Sequence, residues 1–187
     1  MSTTQPIRSL EELQQLKNFY YLQEPNPRNY TLITLGLNTA LRISDLLQLT
    51  WGDVYDFETQ KFRYHITVTE QKTGKENRIA LNQNAQQALL LYQKYFPAVS
   101  PQDYLFPGKG HADIPLSRSQ AFRIIKHASE RLHLDEHISC NSMRKTFGYH
   151  AWKCGTPPAV LMEIYNHSSF EITKRYLGIE QDERDEI

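Results

Sequence analysis

A chain of 187 residues, 40% hydrophobic and 11% aromatic, is long enough for a single domain with its own core and too apolar for disorder. Two cysteines, Cys140 and Cys154, with no CxxC spacing exclude a disulfide scaffold, and no apolar run reaches the ~20 residues of a membrane span. The 21 basic and 21 acidic residues cancel but are unevenly placed: residues 177–187 hold five acids against Arg184, which leaves 20 bases and 16 acids on residues 1–176, a net +4. A mildly basic body with an acidic C-terminal strip can offer a groove to phosphates. Residues 1–9 carry no apolar signal core. The expectation is therefore a chain kept in a reducing, cytoplasmic compartment without membrane contact.

Ser9, with Glu12 three positions on, predicts a capping box and a helix to about Tyr21, before Pro25, Asn26 and Pro27 break the chain. Leu32, Leu35, Leu37 and Ala40 predict a buried helix over 29–40, and Ser44 is placed to cap a short third helix from Asp45 to about Leu49. Residues 62–68 alternate: Phe62, Tyr64, Ile66 and Val68 fall on one face, Arg63, His65 and Thr67 on the other, which predicts a half-buried strand. Thr73-Gly74-Lys75 predicts a hairpin turn that returns through Arg78 to Leu81. Helices are expected at about 83–95, 117–133, 141–153 and 157–165, with a last one ending near Tyr176, while 97–107 reads as a loop containing Tyr104-Leu105-Phe106. With no internal repeat or linker, the expected fold class is mainly α (α+β), a single domain over 1–187 with one small antiparallel sheet.

Three segments carry polar groups in apolar company. In Ala40-Leu41-Arg42-Ile43-Ser44-Asp45-Leu46, Arg42 joins two apolar helices, where a guanidinium is costly unless it meets an anion, and Asp45 stands three residues on, able to orient it. Asn141 and Arg144 share one face at the start of a helix, where free N–H groups also favour an anion. Asn166-His167-Ser168-Ser169 is followed, nine residues after His167, by Tyr176. Each signal has a plain structural reading when taken alone.

Together, in order and spacing, they resemble the tyrosine recombinases of the phage integrase family. That family has an Arg in an A-L-R-I-S-[DE]-L-type segment, an H-x-L-R-type segment, an L-G-H-S-type segment, and a nucleophilic Tyr nine residues past that His. The corresponding stretches are Ala40–Leu46, Asn141–Arg144, Tyr165–Ser168 and Tyr176, with 23 residues from Arg144 to His167. Thr50-Trp51-Gly52-Asp53-Val54 and Arg175-Tyr176-Leu177 add agreement, and the resemblance runs from about Leu10 to Ile179.

The resemblance implies the family's catalytic-domain fold, a helical bundle with a small three-stranded antiparallel sheet, and site-specific cleavage and rejoining of double-stranded DNA. It makes Tyr176 the nucleophile that forms a 3′-phosphotyrosine, Arg42 and Arg144 the stabilisers of phosphoryl charge, and His167 a hydrogen-bonding partner of the phosphate. A lysine of the hairpin turn would protonate the leaving 5′-oxygen, and Lys72, which precedes Thr-Gly, is preferred over Lys75. Lys75, Lys145, Lys174 and Arg175 are expected to touch DNA. A tetramer on DNA is implied, with the segment after Tyr176 docked on a neighbouring subunit, and no metal or cofactor. A silent DNA-binding regulator and a type IB topoisomerase stay open as alternatives.

Two departures stand out. Asn141 occupies the usual His position, and an amide cannot accept a phenol's proton. Residues 1–28 cannot supply the N-terminal DNA-clamping domain that family members carry. His133 and His137 are four apart without an evident third metal ligand, and Cys140 reads as a buried neutral thiol.

Overall fold

The computed structural model describes residues 4–135 and 137–179. Helix α1 (Leu10–Asn18) starts where Ser9 accepts a hydrogen bond from the Glu12 N–H, and then widens into a π-helical turn, Phe19–Gln23. The widening corrects the expectation of one regular helix to Tyr21. It buries adjacent Phe19 and Tyr20 together, with the Tyr20 hydroxyl donating to the Ile124 carbonyl at 2.8 Å.

Asn26 caps α2 (Pro27–Thr39), the central helix, which packs against α5 (Gln83–Gln93) and α7 (Cys140–Lys153). Leu32, Ile33 and Leu35 have no exposed surface. Short helices α3 (Ile43–Leu46) and α4 (Trp51–Val54) follow, the latter opened by a Thr50–Asp53 capping box. The Ser44 cap is not formed: Arg42 is the N-cap of α3, extended at φ −67° and ψ 146°, and its carbonyl accepts from the N–H groups of Asp45 and Leu46.

The strand expected over 62–68 is split. Lys61–Phe62 (β2) pairs with Tyr55–Asp56 (β1), the Arg63 N–H turns back to the Val54 carbonyl, and His65–Thr69 (β3) pairs with Glu76–Ala80 (β4). Ile66 and Val68 face inward as expected, but Tyr64, at the break, is 74% exposed. Gly74 closes the β3–β4 turn at φ 68°, a conformation open to glycine at little cost. A third hairpin, Pro107–Gly108 (β5) with His111–Pro115 (β6), follows the 97–107 segment and was not expected from the sequence. The sheet expectation therefore resolves into three separate two-stranded ladders among the described residues. Two residues between β2 and β3 turn the chain away before a third strand can join.

The 97–107 segment is anchored: Leu105 and Phe106 are fully buried, the Leu105 N–H donates to the Leu49 carbonyl, and the Tyr92 hydroxyl donates to the Leu105 carbonyl. Helix α6 (Arg118–Arg131), capped by Ser117, covers one side of the core. After α7 come α8 (Pro158–Tyr165) and α9 (Phe170–Leu177). Apolar residues form two clusters, a large one around α2 and a small one of Ala40, Tyr149, Tyr165, Leu177 and Ile179 where α7, α8 and α9 meet. The acidic strip at 180–187, and with it the expected docking of that segment on a neighbour, lies outside the described residues.

Candidate active site

Helix α2 ends on Ala40 at φ 56°, a left-handed conformation that costs a non-glycine residue about 1–2 kcal/mol. The reversal throws Arg42 off the end of the helix towards the β3–β4 hairpin, where its guanidinium ion-pairs with Glu70. Glu70 is 3% exposed. Its carboxylate also accepts from the Thr73 hydroxyl and the Asn77 amide, each at 2.8 Å. Burial pushes this carboxyl up, but Thr73, Arg42 and Arg144 together outweigh burial and hold it below the usual carboxylate range.

Asp45 does something other than orient Arg42. It is 2% exposed and accepts from the Gln71 N–H at 3.1 Å, which ties the hairpin base to α3. Arg42 lies outside the helix at its cap, so the i, i+3 geometry of a helix interior does not bring the pair together. Glu70 was the missed residue. Its signal was the strand period: Ile66, Val68 and Glu70 alternate onto one inward face, and a carboxylate at a buried register position needs a cation.

Arg144 projects from α7, 5% exposed, with its guanidinium over the Tyr165 ring at 4.9 Å. Its carbonyl accepts from the Tyr165 hydroxyl at 2.7 Å. Gly148 allows this approach, because a Cβ there would lie 2.7 Å from Leu177 and 2.8 Å from the Tyr165 ring. Desolvation and the neighbouring Arg42 lower the Arg144 pKa, while Tyr176, Tyr165 and Glu70 oppose them.

Asn166 ends α8 in the left-handed region at φ 55°, and His167 follows. The His167 ring stacks on Tyr165 at 5.7 Å and meets Tyr176 edge to face at 5.3 Å. Its Nδ1 lies 3.0 Å from the Thr173 hydroxyl, which itself donates to the Ser169 carbonyl at 3.4 Å. That chain assigns the Nδ1 proton to His167 and leaves Nε2 as an acceptor. Burial, Arg144 and Arg42 all lower the His167 pKa, which favours the neutral ring.

Tyr176, on α9, is half-buried against Tyr165 at 5.3 Å. Burial raises its phenol pKa, and the charges of Arg144 and Arg42, with a hydrogen bond from Arg144, pull it back down. The fold thus brings Arg42, Arg144, His167 and Tyr176 into one electrostatic unit, with Glu70 the carboxylate that feels both guanidiniums. Two guanidiniums against one carboxylate leave an excess of positive charge where an anion can sit.

The remaining expected residues separate. Asn141 is exposed in the first turn of α7, one turn from Arg144. Lys72 is exposed in the hairpin turn, while Lys75 reaches across 91 residues to donate to Asn166 Oδ1 at 2.6 Å, beside His167. Lys174 lies against the Phe170 ring, and Arg175 is exposed. Lys145 is not at the surface as a DNA contact requires: it is 5% exposed and donates to the Thr4 carbonyl at 2.6 Å. His137 pairs with Asp135 at 2.7 Å, and burial pushes the Cys140 thiol up to about 11.

A family model described as the phage integrase family matches residues 9–183. The chain belongs to the phage integrase family of tyrosine recombinases. Among its relatives, the "Probable integrase/recombinase YoeC" of Bacillus subtilis is 40% identical over 97% of this chain and 93% of that protein. The tyrosine recombinase XerD of Corynebacterium glutamicum is 30% identical over 86% of this chain, which spans 51% of XerD. Solved structures share the fold: the XerA recombinase at TM-score 0.74 and 20% identity, covering 93% of this chain and 60% of that one, and the Tn1549 transposon integrase at 0.71 and 22%, covering 91% and 60%. The catalytic domain of the bacteriophage HP1 integrase matches at TM-score 0.59 and 20% identity, over 92% of this chain and 86% of that domain.

Proposed function

We propose that this phage integrase family member cleaves and rejoins DNA strands at specific sites through a 3′-phosphotyrosine on Tyr176. The observation that carries the reading is convergence: Arg144 and Tyr176, far apart in the chain, both lie against the Tyr165 ring, and the charges of Arg144 and of Arg42, held by Glu70, both lower the Tyr176 pKa. Attack of the phenol oxygen on a DNA phosphorus, with departure of the 5′-oxygen, builds negative charge on the non-bridging oxygens. Two preorganised guanidiniums stabilise that charge more than they stabilise the ground state.

The phenol must lose its proton, and the raised pKa of Tyr176 makes this the demanding step. Asn141 cannot take that proton. His167, neutral and with Nε2 as its acceptor, can take it, and once protonated there its Nε2–H can donate to a phosphate oxygen. The leaving oxygen gains its proton from a lysine of the β3–β4 turn: Lys72 is exposed and available, whereas Lys75 is engaged with Asn166. The bond energy kept in the phosphotyrosine lets the reverse attack rejoin the strands.

Double-stranded DNA is the substrate in this reading, with Lys75, Lys174 and Arg175 near its backbone and a tetramer as the active assembly. Structural neighbours solved on DNA, the Tn1549 integrase with transposon right end DNA and XerH bound to difH, support it. Two free cysteines, and the absence of any helix among the described residues long and apolar enough to cross a membrane, support a cytoplasmic setting.

The test is incubation with a pool of nicked suicide duplexes carrying randomised arms, followed by a denaturing gel. A covalent protein–DNA band is expected, and it is expected to vanish in Tyr176→Phe. A band that persists in Tyr176→Phe, or no band from the wild-type chain, overturns the reading.

A further inference from the structure

Residues Thr4 to Arg8 form a strap across α7 that reaches the far end of α9. The Gln5 N–H donates to the His137 carbonyl at 3.3 Å, the Ile7 N–H to the Thr146 hydroxyl at 2.9 Å, and the His150 ring to the Ile7 carbonyl at 2.9 Å. The Arg8 guanidinium donates to the Gly178 carbonyl at 3.1 Å, just past α9, where a cation complements the helix's negative end. At the start of this strap, the Lys145 ammonium donates to the Thr4 carbonyl and stands 5.2 Å from the centroid of the Tyr176 ring.

We propose that Lys145 is a positioning residue for Tyr176: its ammonium, anchored on the Thr4 carbonyl, holds the face of the phenol ring while Arg144 holds the hydroxyl end. The inference rests on Tyr176 being the nucleophile. A buried ammonium is costly, and an apolar side chain would fill the same space between α7 and the strap at no such cost. What the cation adds is a directed hydrogen bond to the strap and an attraction to the π-face of Tyr176. Both fix α9, an element of eight residues, in the pose that aims the phenol at the guanidiniums. The same charge favours the phenolate as it develops. The charged and titratable groups facing Tyr176 are Arg144, Arg42, His167, Tyr165 and Lys145, and Arg8 faces Lys145.

The experiment compares wild type with Lys145→Met, Lys145→Gln and Lys145→Arg in the full chain. Met keeps the length without charge, Gln keeps a donor for Thr4 without charge, and Arg keeps both. The readouts are the single-turnover rate of covalent adduct formation and, with no DNA present, the 19F titration of a polyfluorinated tyrosine placed at 176, whose phenol ionises below the range in which the buried Lys145 ammonium, its pKa lowered by burial and by Arg8, loses its proton. Met and Gln are expected to slow adduct formation about tenfold and to raise the phenol midpoint by about one pH unit. Arg is expected to restore both to near wild type. An unchanged midpoint in Met or Gln overturns the proposal, as does equal loss in Gln and Arg, the signature of packing alone. If Met does not fold, Gln decides. Absence of a wild-type adduct strikes the nucleophile reading, and the 19F titration then still decides whether Lys145 acts on Tyr176.

Discussion

The two halves of the candidate site rest on different foundations. Arg42, Asp45 and Glu70 are set against the large cluster around α2, where Leu32, Ile33, Leu35, Leu46 and Val54 have no exposed surface. His167 and Tyr176 rest on a small cluster of five buried residues joined by α8 and α9, helices of eight residues each. A deep core gives one discrete arrangement of charge, and a shallow one gives an element that can shift at modest cost. In the proposed reaction this is a division of labour: a rigid template for the phosphate and an adjustable carrier for Tyr176 as nucleophile.

The largest break in this comparison comes from Arg144, which touches both halves. Arg144→Ala is expected to lower the cleavage rate by about 10²–10³, measured as adduct formation at saturating DNA. A loss below tenfold would remove the guanidinium from the reaction.

The two clusters are separated by a paired test. Leu35→Ala in the large core is expected to cost about 2–5 kcal/mol of stability by denaturant unfolding, with cleavage by the folded fraction nearly unchanged. Gly148→Ala is expected to do the reverse: about 1–3 kcal/mol of overpacking, with adduct formation down at least about tenfold, because the new methyl pushes Tyr165 and Leu177 off α7. Equal effects of both variants on cleavage would show that the two regions do not differ as described.

Glu70→Gln sharpens the rigid half. Removing the charge opposite Arg42 is expected to cost about 2 kcal/mol, below a fully buried pair because the Arg42 side chain keeps 23% exposure. The folded Glu70 pKa is depressed, so its contribution is complete above the unfolded value of ~4.3 and is lost as pH falls through the folded value. The variant should therefore show a flatter acid limb of stability below about pH 4.3.

Asn141→His gives the smallest effect. An imidazole at this position can accept the phenol's proton, so cleavage is expected to rise up to about tenfold and to depend less on His167. The wild-type acid limb should lie below the ordinary His value of ~6.5, since the His167 pKa is lowered and its neutral form is the acceptor. An unchanged rate and pH profile in Asn141→His would show that proton transfer to this position does not limit cleavage.

What could be read in the sequence were features with local causes. Ser9 caps its helix because its side-chain oxygen meets the Glu12 N–H three residues on. Ile66 and Val68 face inward because strands alternate, and the motif spacing picked out Arg42, Arg144, His167 and Tyr176. The misreadings had non-local causes. Asp45 was assigned to Arg42 from sequence proximity, while the true partner, Glu70, lies 28 residues away on a hairpin. Lys145 is expected from the sequence to touch DNA because nothing in its neighbourhood shows that a strap 141 residues earlier covers it.

Composition, caps and periodicity determined that this chain folds as a mainly helical domain with a hairpin at Gly74, and the motif order by which it resembles the phage integrase family marked the candidate site residues. Only the tertiary structure decided which carboxylate holds Arg42, that Lys75 reaches Asn166, and that Lys145 lies beneath Tyr176. Local rules act within a turn of helix or a pair of strands, whereas buried charges find partners wherever packing leaves the one group that can satisfy them.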